Sequence, residues 1–243
     1  MPDFVMATKE LKDDLENLFK TKRIYFGHQS VGANVVDGAQ SLLDRSGIDL
    51  QLRKIENNTS SDSGFFHSHV GKNFDPISKL NAFKGIATER AGKNYDYVGV
   101  KLCYVDITRN TDLQGLFDAY KATIEDVRQA NSKITIFHFT VPLMIAPEEN
   151  FRTFVKRMLG RYDNNVARNK YNDMLRSEYK ERALLFDIAE LESTLLNGDK
   201  VWFEVNGTRY QSLASEYTTD GGHLNDQGRD YIGYEFLKFL AGL

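Results

Sequence analysis

The sequence is poorest in cysteine: Cys103 is the single one among 243 residues. A lone cysteine excludes an internal disulfide and leaves too few thiols for a cysteine-based zinc site. Long apolar runs are also missing, and no stretch approaches the ~20 residues of a membrane span. Nor is there an excess of one charge. With 31 Lys and Arg against 34 Asp and Glu, the net charge is −3, which predicts no nucleic-acid partner and no strong pull toward anionic membranes. Met1 to Glu10 lack a basic start followed by an apolar run, so no signal peptide is expected in this chain. The compartment stays open, because a secreted or periplasmic protein can have lost its signal. No repeat, low-complexity tract or Pro/Gly-rich linker divides the chain. With 41% hydrophobic and 27% charged residues, a soluble single domain over 1–243 is expected.

What is present is alternation of strand and helix. Leu11, Leu15, Leu18 and Phe19 recur at helical spacing and predict a helix over 8–21. Short strands are expected at 23–26, 49–55, 97–102, 133–139 and 183–186. Helices are expected at 34–45, after Asp75-Pro76, across 113–127 and at 225–240, and 148–182 reads as a largely helical insertion. Residues 56–74 read as a long polar loop, a feature often functional in a compact domain. Asn206-Gly207 between alternating residues predicts a hairpin insertion over 200–213. Strands alternating with helices imply a three-layer α/β/α sandwich around a mainly parallel, flavodoxin-like five-stranded sheet. Ligands of such sheets bind beyond the carboxyl ends of the strands.

Two segments carry candidate chemistry. In Gly27-His28-Gln29-Ser30-Val31-Gly32 a strand runs into a helix, which suits an exposed serine nucleophile with backbone N–H groups close by. A serine there can equally be a helix cap. In Asp220-Gly221-Gly222-His223 a carboxylate three residues before a histidine can hold one imidazole nitrogen and free the other to take a serine proton. The same residues also make an Asx-type turn.

Together, a serine after the first strand and Asp-x-x-His before the last helix resemble the SGNH (GDSL-like) hydrolases. That resemblance implies a flavodoxin-like sandwich that cleaves esters or removes acetyl groups, with Ser30, His223 and Asp220 as the catalytic set and no cofactor. It also implies an oxyanion hole built from the Ser30 N–H and a glycine of the family's second block, for which Gly71 is the best match and Gly64 the competitor. The family's third block, Gly-x-Asn-Asp, stands here as Cys103-Tyr104-Val105-Asp106. Its aspartate matches Asp106, but Val105 replaces the asparagine that would donate to the oxyanion. Asn73 is the candidate replacement, with a turn cap as its other reading. His28, Gln29, Asp106 and Trp202 are the substrate-binding candidates.

Other classes of site stay open. His67 and His69 lie on one side of an extended segment, and with His28 and Asp106 they could hold zinc. His138 reads as a core histidine and Cys103 as a buried thiol. The basic residues of 148–182 read as a solvated helical face. The expected function is a serine esterase, foremost a carbohydrate acetylesterase, acting on a small-molecule or saccharide ester. A saccharide-binding member of the same fold and a metal-dependent hydrolase using His28, His67 and His69 are the alternatives.

Overall fold

The strand Arg23–His28 (β1) is buried along its whole length, as a strand covered on both faces must be. Its side chains alternate between two cores: Ile24 and Phe26 enter one, and Tyr25 enters the other. A computed structural model describes residues 2–55, 62–88, 95–146, 164–181 and 184–243. Around β1 stand Leu52–Lys54 (β2), Gly64–His69 (β3), Tyr97–Val100 (β4), Thr135–Phe139 (β5) and Leu184–Phe186 (β6). The order is β2-β3-β1-β4-β5-β6, and every pairing is parallel.

One face is covered by Phe4–Glu10 (α1), Lys12–Thr21 (α2), Ser30–Arg45 (α3), Ile188–Glu192 (α7) and Asp226–Ala241 (α8). The other is covered by Pro76–Thr88 (α4), Leu113–Ala130 (α5) and Asn164–Tyr179 (α6). Three layers result, the α/β/α architecture expected from the sequence. Asp75 caps α4 by accepting from the Ser78 N–H at 3.0 Å, with Pro76 in the first turn. Trp202–Val205 (β7) and Thr208–Gln211 (β8) form a separate hairpin. Both turn residues, Asn206 and Gly207, have positive φ (52° and 77°), as the favoured two-residue turn requires.

The structure corrects the sequence reading at several places. Among the described residues the sheet has six strands instead of five, because Gly64–His69 within the expected polar loop is a strand beside β1. Its polar residues are satisfied internally: Ser68 Oγ lies 2.8 Å from the Tyr25 hydroxyl, and His67 Nδ1 lies 2.8 Å from His28 Nε2. The loop's start, 56–61, lies outside the described residues. The expected helix over 8–21 is two helices meeting at Leu11, and of 49–55 only Leu52–Lys54 pairs. Of the insertion at 148–182, α6 is helical and 148–163 and 182 lie outside the described residues. α6 is not simply a solvated basic face. Arg168 is buried, and Arg176 Nε bonds Asp187 at 2.7 Å.

β1 sits where the chain changes direction across the sheet, with β3 on one side and β4 on the other, so its carboxyl end opens into the crevice where such folds bind ligands. α3 leaves from that end and packs against α8 at backbone contact. A Cβ on Gly38 would strike the Arg229 carbonyl, and one on Gly233 would lie 2.6 Å from the Ala39 nitrogen. Gly38→Ala is therefore expected to push the two helices apart and cost about 1–3 kcal/mol. A lowered thermal midpoint checks this, and an unchanged one would mean the helices separate freely.

Candidate active site

Ser30 is the first residue of α3, immediately beyond β1, with Gln29 in extended backbone as the N-cap. Position one of a helix leaves its N–H without an intrahelical acceptor. Gln29 does not cap with its side chain. Its Nε2 donates to the Val70 carbonyl at 2.8 Å and the Gly71 carbonyl at 3.0 Å. The loops after β1 and β3 are thereby tied together.

The imidazole reaches Ser30 from the other end of the chain. Asp220 Oδ1 accepts from the N–H groups of Gly222 (2.9 Å) and His223 (2.8 Å), closing a turn in which Gly221 takes φ +86°. Oδ2 meets His223 Nδ1 at 2.6 Å. With Nδ1 donating to the carboxylate, Nε2 keeps its lone pair, and it lies 3.1 Å from Ser30 Oγ. The Asx-type turn and the carboxylate–imidazole pair are thus one arrangement, each using a different oxygen. The N–H and side chain of His223, with the Gly222 N–H, hold the Asp220 carboxyl far below the usual carboxylate range. Asp220 therefore carries its charge at neutral pH. Leu224 N–H donates to Asn34 Oδ1 at 3.2 Å, fixing this turn to α3.

The sequence-predicted triad is brought together, and Gly71 and Asn73 lie on the loop that Gln29 grips. Among the described residues no acceptor takes the Gly71 N–H. Asn73 is exposed, and its Oδ1 accepts from Lys79 Nζ at 3.3 Å. Gly64, the competing glycine, begins β3 at the opposite end of the sheet.

Other candidates are placed differently. Asp106 has a fully buried side chain, and Lys79 Nζ meets its two oxygens at 2.5 and 2.7 Å. It also accepts from the N–H groups of Cys103 (2.7 Å) and Phe74 (3.1 Å). With every lone pair directed inward, Asp106 anchors loops and does not face substrate. His28 is buried too, with Nδ1 on the Gln29 carbonyl at 3.0 Å and Nε2 on His67. Both of its nitrogens have protein partners, and the ring is closed off from solvent. Among the described residues no group of three His, Cys, Asp or Glu could hold a metal ion. Gln29 is occupied by backbone carbonyls. Trp202 stands half-exposed on the hairpin beneath the Arg209 guanidinium, 3.3 Å from its ring centre, and no bond of the triad involves it. His138 pairs with the Tyr120 hydroxyl at 2.7 Å in the core, and Cys103 is buried.

The sequence reading passed over Tyr104. Its hydroxyl lies 3.4 Å from His223 Nε2, and its ring meets the imidazole edge-on. The signal was its place in the third block, beside the valine that replaces a polar residue. Lys79, the partner of Asp106, carried no such signal, being one lysine of an ordinary helix.

Two predictions follow from this chemistry. Lys79→Met strips Asp106 of its buried partner and is expected to cost about 3–5 kcal/mol in denaturant unfolding; a loss under 1 kcal/mol would mean the pair is solvated. The second concerns pH. Burial pushes His67 down to about 4 and His138 to about 3, and holds His28 well below the usual imidazole range. Unfolding below about pH 6.5 therefore takes up protons, so stability falls on acidification. Glu192, pushed up to about 8 by burial, works oppositely, weakening the fold as pH rises from about 4.5 to 8. Urea midpoints should peak between about pH 6 and 7 and fall most steeply below about 4.5, where Glu192 no longer compensates. His67→Gln should flatten the acid limb in part, and an unaltered limb would refute the share assigned to His67.

No family model and no curated protein matches this sequence. Solved structures do. A protein from Streptococcus pneumonia, provisionally described as a platelet activating factor, aligns with a TM-score of 0.54 at 14% identity, covering 98% of this chain and 91% of its own. A peptidoglycan O-acetylesterase aligns with a TM-score of 0.55 at 10% identity, covering 99% and 98%. At such identities the likeness speaks for the fold. No helix among the described residues is long and apolar enough to cross a membrane. The parallel sheet, its strand order and these neighbours agree on a three-layer α/β/α fold.

Proposed function

We propose that this protein is a serine esterase that removes small acyl groups, foremost acetyl, from a saccharide ester. The observation that carries the reading is the unbroken line from Ser30 Oγ through His223 Nε2 (3.1 Å) to Asp220 Oδ2 (2.6 Å). Ser30 attacks the acyl carbon, and His223 takes its proton and returns it to the leaving oxygen. Asp220 orients the imidazole and stabilises it when charged. The negative oxygen of the tetrahedral intermediate rests on the N–H groups of Ser30 and Gly71. Asn73 adds a side-chain donor: its Oδ1 is engaged by Lys79, and that bond leaves the amide hydrogens unspent. The acetyl preference draws support from the O-acetylesterase among the structural neighbours. Nothing in this cycle requires a cofactor.

A fluorophosphonate probe is expected to label wild-type protein at Ser30, and Ser30→Ala is expected to lose both labelling and turnover of acetylated sugars. Unlabelled wild type without turnover on any ester would refute the reading and leave a saccharide-binding protein of the same fold. Asn73→Ala should lower kcat by roughly 100-fold with a much smaller change in KM, since such a donor acts on the transition state. Full activity in that variant would exclude Asn73 from the oxyanion hole.

A further inference from the structure

We propose that Tyr104 is a catalytic residue whose hydroxyl hydrogen-bonds the leaving-group oxygen of the ester as the acyl–oxygen bond breaks. This rests on the esterase reading above and adds a group to the departure side of the site.

Both proton transfers of acylation run through His223 Nε2. Two hydroxyls flank this one nitrogen, Ser30 Oγ at 3.1 Å and Tyr104 at 3.4 Å. In acylation the Ser30 Oγ–carbon bond forms, and the serine proton passes to Nε2. The carbon–oxygen bond to the leaving group then breaks, and the same proton passes from Nε2 to the departing oxygen. That transfer requires the departing oxygen to come within about 3 Å of Nε2. Ser30 Oγ is by then bonded to the acyl carbon, so the departing oxygen meets Nε2 in the gap beside the other hydroxyl. The Tyr104 proton stays on Tyr104 throughout. Its hydrogen bond disperses charge on the departing oxygen while the imidazolium proton is in flight.

The phenol is held for this task. The Tyr104 backbone carbonyl accepts from Arg168 Nε at 2.8 Å, and the Arg168 guanidinium lies 5.7 Å from the phenol ring centre. On the other side the ring presses on Gly222, where an added Cβ would lie 3.1 Å from the hydroxyl. The glycine before the catalytic histidine thus makes room for the phenol. Burial, with the nearby Asp220 charge, pushes the Tyr104 hydroxyl above its ordinary value, so it remains a donor at neutral and mildly alkaline pH. Oxyanion stabilisation is the competing assignment. The oxyanion donors lie at the Ser30 N–H and on the Gly71 loop, whereas Tyr104 touches the imidazole.

The two assignments separate through the leaving group. A p-nitrophenolate departs without help, whereas an alkoxide needs its charge relieved. Tyr104→Phe keeps the ring packing and removes only the hydroxyl. Its kcat/KM, which reports acylation, should fall about 10-fold or more on an acetylated sugar and less than about 3-fold on p-nitrophenyl acetate. Fluorophosphonate labelling of Ser30 should proceed at the wild-type rate, which marks the serine–histidine pair as intact. Equal losses on both esters would overturn the proposal in favour of an oxyanion or positioning role. No loss on either would reduce Tyr104 to packing. Wild type that neither labels nor turns over would sink the esterase reading, and Tyr104's role with it. Labelled wild type with either of the former outcomes overturns the Tyr104 role alone.

Discussion

The site depends on the contact between α3 and α8. Ser30 and His223 are 193 positions apart in sequence, one at the start of α3 and the other three residues before α8. Helices are stiff, so fixing where they cross fixes where their ends lie. Gly38 and Gly233 let the two backbones touch, and Phe236, Leu237 and Leu240 bury the rest of the α8 face in the same core as Val35, Ala39 and Leu42. The distance from serine to imidazole is therefore a property of core packing. The loops at either end contribute orientation, which the Asn34–Leu224 bond and the Asp220 turn supply.

Beneath Ser30 and His223 lies a layer of buried and half-buried polar side chains that joins three loops to one another. Gln29 ties the end of β1 to the loop after β3, and Asp106 ties that loop, through Phe74, to the segment after β4. His28 and His67 bond to each other between β1 and β3. In a low-dielectric interior such bonds are strong when complete and costly when any member is lost. This explains how Phe74 is kept at φ +65°, a conformation that a bulky side chain adopts only where its surroundings over-determine it. Through Gln29, the neighbour of Ser30, the Val70–Gly71 end of that loop is held to the start of α3.

That Ser30, His223 and Asp220 would meet was legible because each obeys a local rule: a serine between strand and helix, and an acid and a base spaced by one glycine turn. The fold class was legible for a related reason, since fully buried parallel strands alternate with amphipathic helices at recognisable lengths. β3 was hidden because Gly64, His67, Ser68 and His69 look like loop residues, and their bonding partners, Tyr25 and His28, lie about forty positions away in sequence. The substrate-binding candidates misled for the converse reason. Asp106 and His28 sit next to motif residues, yet they turn inward to partners that no local pattern announces. Proximity along the chain to a catalytic residue does not tell which way a side chain faces.

Asp106 and Asp220 show how environment assigns different work to the same side chain. Asp106 is enclosed, and a lysine and two backbone N–H groups must compensate its charge, so its value lies in joining segments that would otherwise drift. Asp220 has a half-exposed side chain, and water already solvates its charge. What it needs is a fixed direction. The two backbone N–H bonds to Oδ1 supply this, because they lock the carboxylate plane before any histidine is considered, and Oδ2 is then held for the imidazole. A carboxylate so bound resists protonation without being buried, and burial would only have raised the cost of its ionised form. The half-exposed aspartate is thus suited to the orienting part that the proposed mechanism gives it, while the enclosed one is suited to joining segments of the chain.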